Sequence, residues 1–401
     1  MRIANPVCAK SKQIMEVSNR ISTVSPSLTL QITAKAKALK AKGLDIISFG
    51  AGEPDFDTPD IIKKKAVEAI ESGFTKYTPA SGIPDLKKEI VKKFKAENGL
   101  RYNESQIVIS CGAKHSLYNI FQVLLNEGDE VLIPAPFWLS YPEMVKLAGG
   151  SPVILQTTQK AGFKITADEI QKSITDKTKA LILNSPSNPT GTVYNKDELK
   201  KISDVLVKNS LYVISDEIYE NLIYDGLTHI SIASLNEKIS SLSIVVNGVS
   251  KSYSMTGWRI GYLAACEQIA KAISTLQSHS TSNPTSFSQI GALWALREGR
   301  EEIRKMVSAF SKRRDLIINE LSSISKINPF KPSGAFYVFC DISKTGISSI
   351  DFATRLLDEA NVAVIPGEPF GNPNYIRLSF AVNDKTIIEG IKRIKNWVDN
   401  L

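Results

Sequence analysis

The feature that most constrains this chain is an alternation running from about residue 100 to residue 250. Short apolar runs rich in β-branched residues recur: IVIS (107–110), EVLIP (130–134), PVILQ (152–156), KALILN (179–184), LYVIS (211–215) and SIVVNG (243–248). The first five precede stretches of helical character, among them AKHSLYNIFQVLLNEGD, YPEMVKLAGG, KDELKKISDVLVKN and DEIYENLIY. Strands apolar on both faces and separated by helices predict an α/β domain with a mostly parallel central sheet wrapped by helices. From about residue 297 the character changes. A long charged amphipathic stretch, REGREEIRKMVSAFSKRRDLIINELSSI, is followed by AFYVFCDI, DFATRLLDEAN, VAVIP, NYIRLSFAV and KTIIEGIKRIKNWVDNL. That order predicts a smaller α+β domain. The first fifty residues, a helix plus DIISF, are too few for a core of their own. The expected division is therefore 1–55 as an N-terminal arm and part of the small domain, 56–296 as the large domain, and 297–401 as the small C-terminal domain.

Composition narrows the class. The 401 residues are 43% hydrophobic, enough for a large core, and carry a formal net charge of +8. The excess is lysine dispersed along amphipathic stretches such as IIKKKAVEAIESG, which reads as a wetted helix face. A nucleic-acid footprint would need clustered Arg and Lys with a reading motif, and none is present. No apolar run approaches membrane-spanning length, and the N-terminus lacks a secretory apolar core. Cys8, Cys111, Cys266 and Cys340 are far apart, with no CxxC pair, so neither a metal site nor a disulfide framework is expected. Three of the four lie in apolar or small-residue strings and are expected to pack as small hydrophobes. These features together predict a cytoplasmic protein without nucleic-acid or membrane partners and without a metal.

In open α/β sheets, ligands gather at the carboxyl ends of the strands. After IVIS comes CGAKHS, where Gly112, Ala113 and Lys114 enter a helix whose free N–H groups suit a phosphate; an ordinary strand–helix turn reads the same way. After KALILN comes NSPSNPTG, a constrained loop holding Asn184 and Asn188, either as ligand contacts or as Asx turns. Asp216 follows LYVIS and is either the partner of a protonated ring nitrogen or a helix cap. Lys251 follows SIVVNG; desolvation there would free its amine, though a surface cation is the commoner case. Arg259, in TGWRIGY, and Arg377, in NYIRLSFA, sit among apolar residues and suit bidentate grip on anions. A paired strand-face Arg fits the second equally. Trp138, in PAPFWLSYPE, offers a ring for stacking or for the core.

Taken in order, these residues resemble the fold-type I, pyridoxal 5′-phosphate-dependent class I aminotransferases. The similarity is greatest to bacterial and plant-type aspartate aminotransferases, including those that also act on prephenate. It spans GAGEPDFDTP (50–59), KYTPASGIPDLK (76–87), NSPSNPTG, SDEIYE, SKSYSMTGWRIGY and NYIRLSFA. The resemblance implies that Lys251 bonds the cofactor and that Asp216 pairs with its ring nitrogen. Tyr219 and Asn188 would meet the phenolic oxygen, and Trp138 would stack on the ring. The Gly112–Lys114 turn and Arg259 would hold the phosphate. Tyr77 would reach the phosphate in a neighbouring subunit, making a homodimer with shared sites. Arg377 would bind the substrate α-carboxylate, with Gly52 against the substrate through its backbone.

For the side-chain carboxylate, animal-type relatives use an arginine from the partner chain. The matching stretch here, LQSHSTSNPTS, has none. Lys114, with Ser27 and Thr29, would take that job, which implies dicarboxylic amino and oxo acids, with prephenate as a further substrate. The alternatives are an aminotransferase for aromatic or alanine-type donors, a pyridoxal phosphate-dependent β-lyase, and a non-catalytic cofactor-binding regulator.

Overall fold

The computed structural model describes residues 18–401 and contains three sheets. The strands are β1 (Ile47–Ser48), β2 (Ile107–Ser110), β3 (Glu130–Ala135), β4 (Ser151–Gln156), β5 (Thr178–Asn184), β6 (Tyr212–Asp216), β7 (Ser243–Gly248) and β8 (Gly261–Ala264). They continue with β9 (Asn328–Phe330), β10 (Tyr337–Asp341), β11 (Val362–Ala363), β12 (Ile365–Pro366) and β13 (Tyr375–Ser379). The large sheet has the order β2-β8-β7-β6-β5-β3-β4. Its neighbours run parallel, except β8, which is antiparallel to both β2 and β7. Strands β2 and β7 are buried at every residue, as their unbroken apolar runs require when helices cover both faces.

Helices Ala113–Leu124, Ser140–Leu147 and Glu267–Ser278 close one face through Leu117, Phe121, Val145 and Ile273 against Ile133, Ile214 and Val246. Helix Lys196–Lys208 closes another through Leu199, Ile202 and Leu206. The smaller sheet, β12-β13-β10-β9, is antiparallel and packs under helices Arg300–Ser322, Ser349–Ala360 and Asp384–Asp399. Strand β1 pairs in parallel with β11, and Phe49 is fully buried against Gly390 of the last helix, where a Cβ would overlap its ring. The segment around residue 48 thus belongs to the same packing unit as the C-terminal residues.

Three details depart from the sequence reading. Strand β8 was not expected: GYLA is only four residues long and follows the cation-bearing loop directly. DEIYENLIY forms turns instead of a helix. Its backbone is claimed by the small sheet's approach, with Tyr224 N–H donating to Ser333 and Ala335 N–H to Leu222. Of the three cysteines among the described residues, only Cys340 is buried, and Cys111 and Cys266 are partly exposed; Cys8 lies outside the described residues.

Candidate active site

A cavity of about 340 Å³ opens at the carboxyl ends of the large sheet, where the small sheet and the N-terminal segment meet it. Five of the large sheet's seven strands deliver parts of the wall. β2 leads to Ala113 and Lys114, β3 to Trp138 and Tyr141, β5 to Asn184 and Asn188, β6 to Asp216 and Tyr219, and β7 to Ser250 and Lys251. The parallel register sets Asn184 opposite Asp216. The small sheet adds Tyr337 from β10 and Arg377 from β13; Ser27, Thr29 and Gly52 come from the N-terminal segment.

The charge of the wall is one-sided. Lys114, Lys251, Arg259 and Arg377 line the cavity, and Asp216 is the single carboxylate among its lining residues. Arg377 is 2% exposed. Its Nη1 donates to Asn188 Oδ1 at 2.9 Å and its Nη2 to the Gly50 carbonyl at 3.3 Å, while its buried Nε has no partner. The guanidinium stacks 4.3 Å from the Tyr337 ring centroid. Burial pulls its pKa down, opposed by the Tyr337 and Tyr219 phenols. A buried cation with neutral neighbours and a spare N–H is incomplete without an anion.

Arg259 is held in a left-handed backbone conformation, φ +57°, uncommon for a non-glycine residue and a mark of imposed geometry. Its guanidinium donates to the Thr256 and Cys111 carbonyls, which fixes it beside the start of helix Ala113–Leu124. Gly112 precedes that helix with φ +88°, and a Cβ there would fall on the Arg259 guanidinium. The N–H groups of Ala113 and Lys114, the first two of the helix, have no carbonyl to pair with inside it and suit an anion there, whereas that of His115 already donates to the Gly112 carbonyl.

Lys251 Nζ donates to the Gly52 carbonyl and lies 5.9 Å from the Tyr219 ring centroid. Burial lowers its pKa to about 8; Glu53 opposes the shift, and Arg377 and Arg259 add to it. Its amine is therefore partly neutral near physiological pH. Lys114 stands exposed at the mouth, 4.8 Å over the Trp138 ring, and its pKa is lowered by partial burial and by Arg259.

Asp216 is the last residue of β6, not a helix cap. Its Oδ2 accepts from Tyr141 Oη at 2.6 Å, and Oδ1 from the Ile218 N–H at 3.2 Å. Burial raises its pKa to about 6 against the pull of those two donors; Glu217 adds to the rise and Lys251 opposes it. Tyr219 and Tyr337 share a hydrogen bond between hydroxyls at 2.9 Å. Trp138 meets Tyr141 edge-on at 5.3 Å.

The fold therefore brings together Lys251, Asp216, Tyr219, Asn188, Trp138, Ala113, Lys114, Arg259, Arg377, Gly52, Ser27 and Thr29, with Gly112 directly behind Arg259. Tyr77 is not among them. It is 90% exposed on the surface of this chain. Ser27 caps helix Leu28–Ala41, accepting from the Leu30 N–H, and the buried Thr29 Oγ1 has no partner. The sequence reading missed Tyr141, Tyr337, Ser250 and Thr256 as wall residues. Tyr141 carries a weak signal: it stands three residues after Trp138, one helical turn on.

The donor set fits a phosphorylated pyridine aldehyde. The helix start, Gly112 and Arg259 form an anion cradle that a Cβ would fill. Asp216 is a buried carboxylate without a cation in contact, and Lys251 is an amine held partly neutral.

Comparison with known proteins agrees. The profile of the family described as aminotransferase class I and II matches residues 44–394. The chain is 52% identical over 387 residues to the aspartate aminotransferase of Bacillus sp. (strain YM-2), covering 95% of this chain and 99% of that one. It is 46% identical to the probable aspartate/prephenate aminotransferase of Aquifex aeolicus, covering 96% and 99%. The fold superposes on the Thermus thermophilus aspartate aminotransferase with maleate at a TM-score of 0.92, with 38% identity, covering 95% and 99%.

Proposed function

This chain belongs to the class I and II aminotransferase family, and from that premise we propose that it moves an amino group between L-aspartate and 2-oxoglutarate, giving oxaloacetate and L-glutamate. The family depends on pyridoxal 5′-phosphate. When bound, that group supplies an electron sink for the pair left behind at the substrate Cα. In this reading Lys251 bonds the cofactor, Asp216 faces its ring nitrogen, and Tyr219 and Asn188 face its phenolic oxygen. The backbone N–H groups of Ala113 and Lys114, with the Arg259 guanidinium, hold its phosphate, and Trp138 lies against its ring. Tyr141 is the positioning residue for Asp216.

Lys251 Nζ would take the proton from the substrate Cα as base and, as acid, pass it to the cofactor carbon and not back to Cα; a pKa of about 8 suits both roles at neutral pH. Arg377 binds the α-carboxylate through Nη1, Nη2 and the spare Nε. Asn188 and Tyr337 keep the guanidinium from swinging away. Lys114, with Thr29 and Ser27, takes the second carboxylate.

The observation that carries this reading is the imbalance of four cations to one carboxylate in a 340 Å³ cavity. Arg259 is assigned to the phosphate, and Arg377 and Lys114 to the two substrate carboxylates. Prephenate, which also bears two carboxylates, is proposed as a further acceptor, in line with the name of the Aquifex aeolicus relative. Tyr77, outstretched from one chain, is proposed to complete the site of a second copy in a homodimer. A cytoplasmic location accords with the three unpaired cysteines among the described residues. The division at 56 and 297 is retained as a proposal, supported by the β1–β11 pairing.

The test is a steady-state panel of aspartate, alanine and phenylalanine as donors against 2-oxoglutarate and prephenate. Aspartate should have the highest kcat/KM. A preference for phenylalanine would move the chain to the aromatic class, and release of pyruvate, ammonia and a thiol from an S-substituted cysteine without an oxo acid would make it a lyase.

A further inference from the structure

Behind Asp216, on the side away from the cavity, lies a second group of charges that the reaction does not use. Glu217 is fully buried and Glu220 nearly so. Glu217 Oε1 accepts from Ser215 Oγ at 2.9 Å and Ser231 Oγ at 2.6 Å, and its Oε2 lies 3.0 Å from His229 Nε2. Glu220 Oε1 pairs with Lys93 Nζ, and its Oε2 accepts from Asn98 Nδ2 at 2.7 Å. Lys93 also donates to Asn98 Oδ1 at 2.7 Å. Three chain segments meet here: the helix carrying Lys93, the turn after β6, and the segment of His229.

The charges decide what the cluster is. Two carboxylates and one ammonium leave a net charge of −1 in a dry site, which is costly. A proton on His229 brings the sum to zero. The other candidate is a divalent ion, because the ligand atoms of Glu217, Glu220 and His229 lie within 4.8 Å of one another. With the Lys93 ammonium already on Glu220, such an ion would take the sum to +1 and face a like charge. The proton balances; the metal does not.

We propose that His229 carries the imidazolium charge of a neutral quartet, Lys93–Glu220–Glu217–His229, and that this quartet is the positioning unit for the turn bearing Asp216 and Tyr219. The quartet itself does not depend on the aminotransferase reading; only its effect on Asp216 does. Burial alone would lower the His229 pKa, but Glu217, and beyond it Glu220, hold it above the ordinary imidazole value. The other titratable groups facing the cluster are Glu97, 3.8 Å from Lys93 but balanced by its own ion pair with Arg300, and the Tyr102, Tyr253 and Tyr262 phenols, which burial keeps protonated. Glu217 also pushes the Asp216 pKa upward. The His229 charge offsets that push, so losing it weakens Asp216 as an anion.

The chain has three histidines, so imidazole NMR of the cofactor-free protein can follow each one, assigned by elimination with His115→Gln and His279→Gln. His229 should titrate above the ordinary value of about 6.5. A midpoint at or below that value, or one divalent ion per chain whose removal by chelator shifts the resonance, overturns the proposal. The functional half is read by a charge cycle in the cofactor-loaded enzyme. His229→Gln leaves Glu217 uncompensated and should lower kcat about tenfold, with a smaller change in KM. The Glu217→Gln/His229→Gln pair is neutral again and should recover to within about threefold of wild type. A double variant worse than the single one would mean that the residues serve packing only. If the single variant does not fold, the NMR titration and the double variant still decide.

Discussion

Consider Asp216→Asn in the protein stripped of cofactor. The wild-type carboxylate is buried among Tyr141, Ile218 and the sheet, and its pKa is raised from 3.8 to about 6. A carboxyl group whose pKa is higher in the folded state contributes stability below its unfolded pKa, and that stability is lost as pH rises through the folded value. Above about pH 6 the folded chain therefore bears the cost of an ionised buried group. Each pH unit of separation is worth about 1.4 kcal/mol, so the cost plateaus near ~3 kcal/mol at pH 8 and falls to ~1.5 kcal/mol at pH 5. Asparagine keeps the shape and carries no charge; with one acceptor oxygen it keeps the shorter bond from Tyr141 and gives up the long one from the Ile218 N–H, about the loss that the protonated acid also bears. Cofactor-free Asp216→Asn should therefore be more stable than wild type at pH 8 by ~3 kcal/mol, or about 3–4 °C in Tm for a chain of this length unfolding as one unit. The gap should halve near pH 5.

The assay is calorimetry or denaturant melting across that range at fixed protein concentration, because assembly also shifts Tm. Adding cofactor should reverse the order, since a cation on its ring nitrogen favours the carboxylate over the amide. A variant no more stable than wild type at pH 8, or a gap that does not shrink with acid, would refute the burial argument.

Further outcomes follow from the same geometry. Lys114→Ala should lose at least ~1.5 kcal/mol of kcat/KM with aspartate, about tenfold or more, and far less with alanine; equal losses would assign Lys114 to the phosphate alone. Arg377→Lys keeps the charge but not the fork that Asn188 and Gly50 align, so kcat/KM should fall by about a hundredfold or more for every amino acid, read by steady-state kinetics. Cofactor attachment to the stripped protein needs the neutral amine of Lys251, so its rate should rise with pH around a midpoint of about 8 in stopped-flow absorbance. A midpoint near 10 would mean that burial does not tune this lysine.

Much of the site was legible because strand ends leave local marks. An apolar run followed by Lys, Asp or Asn is a short-range pattern, and β2 spans the residues read for it. Asp216 was read one position outside its strand, because nothing in LYVISD marks where hydrogen bonding to the neighbouring strand stops. What remained hidden depends on long-range packing. Tyr141 looks like a core aromatic until the fold brings it 2.6 Å from Asp216, 75 residues away. Tyr337 comes from the small sheet, and no local pattern ties it to Tyr219. DEIYENLIY has helical composition, but the approach of residues 333–335 captures its backbone. Nothing in the sequence sets Glu217, Glu220, His229 and Lys93 apart from the many other charged residues, and only the fold encloses them.

The central claim is that Lys251 bonds the cofactor in this cavity. Borohydride reduction of the cofactor-loaded protein, followed by digestion and peptide mass analysis, tests it most directly. The account predicts one cofactor mass per chain, on the peptide containing Lys251. Label on any other lysine, or no label at all, would contradict it.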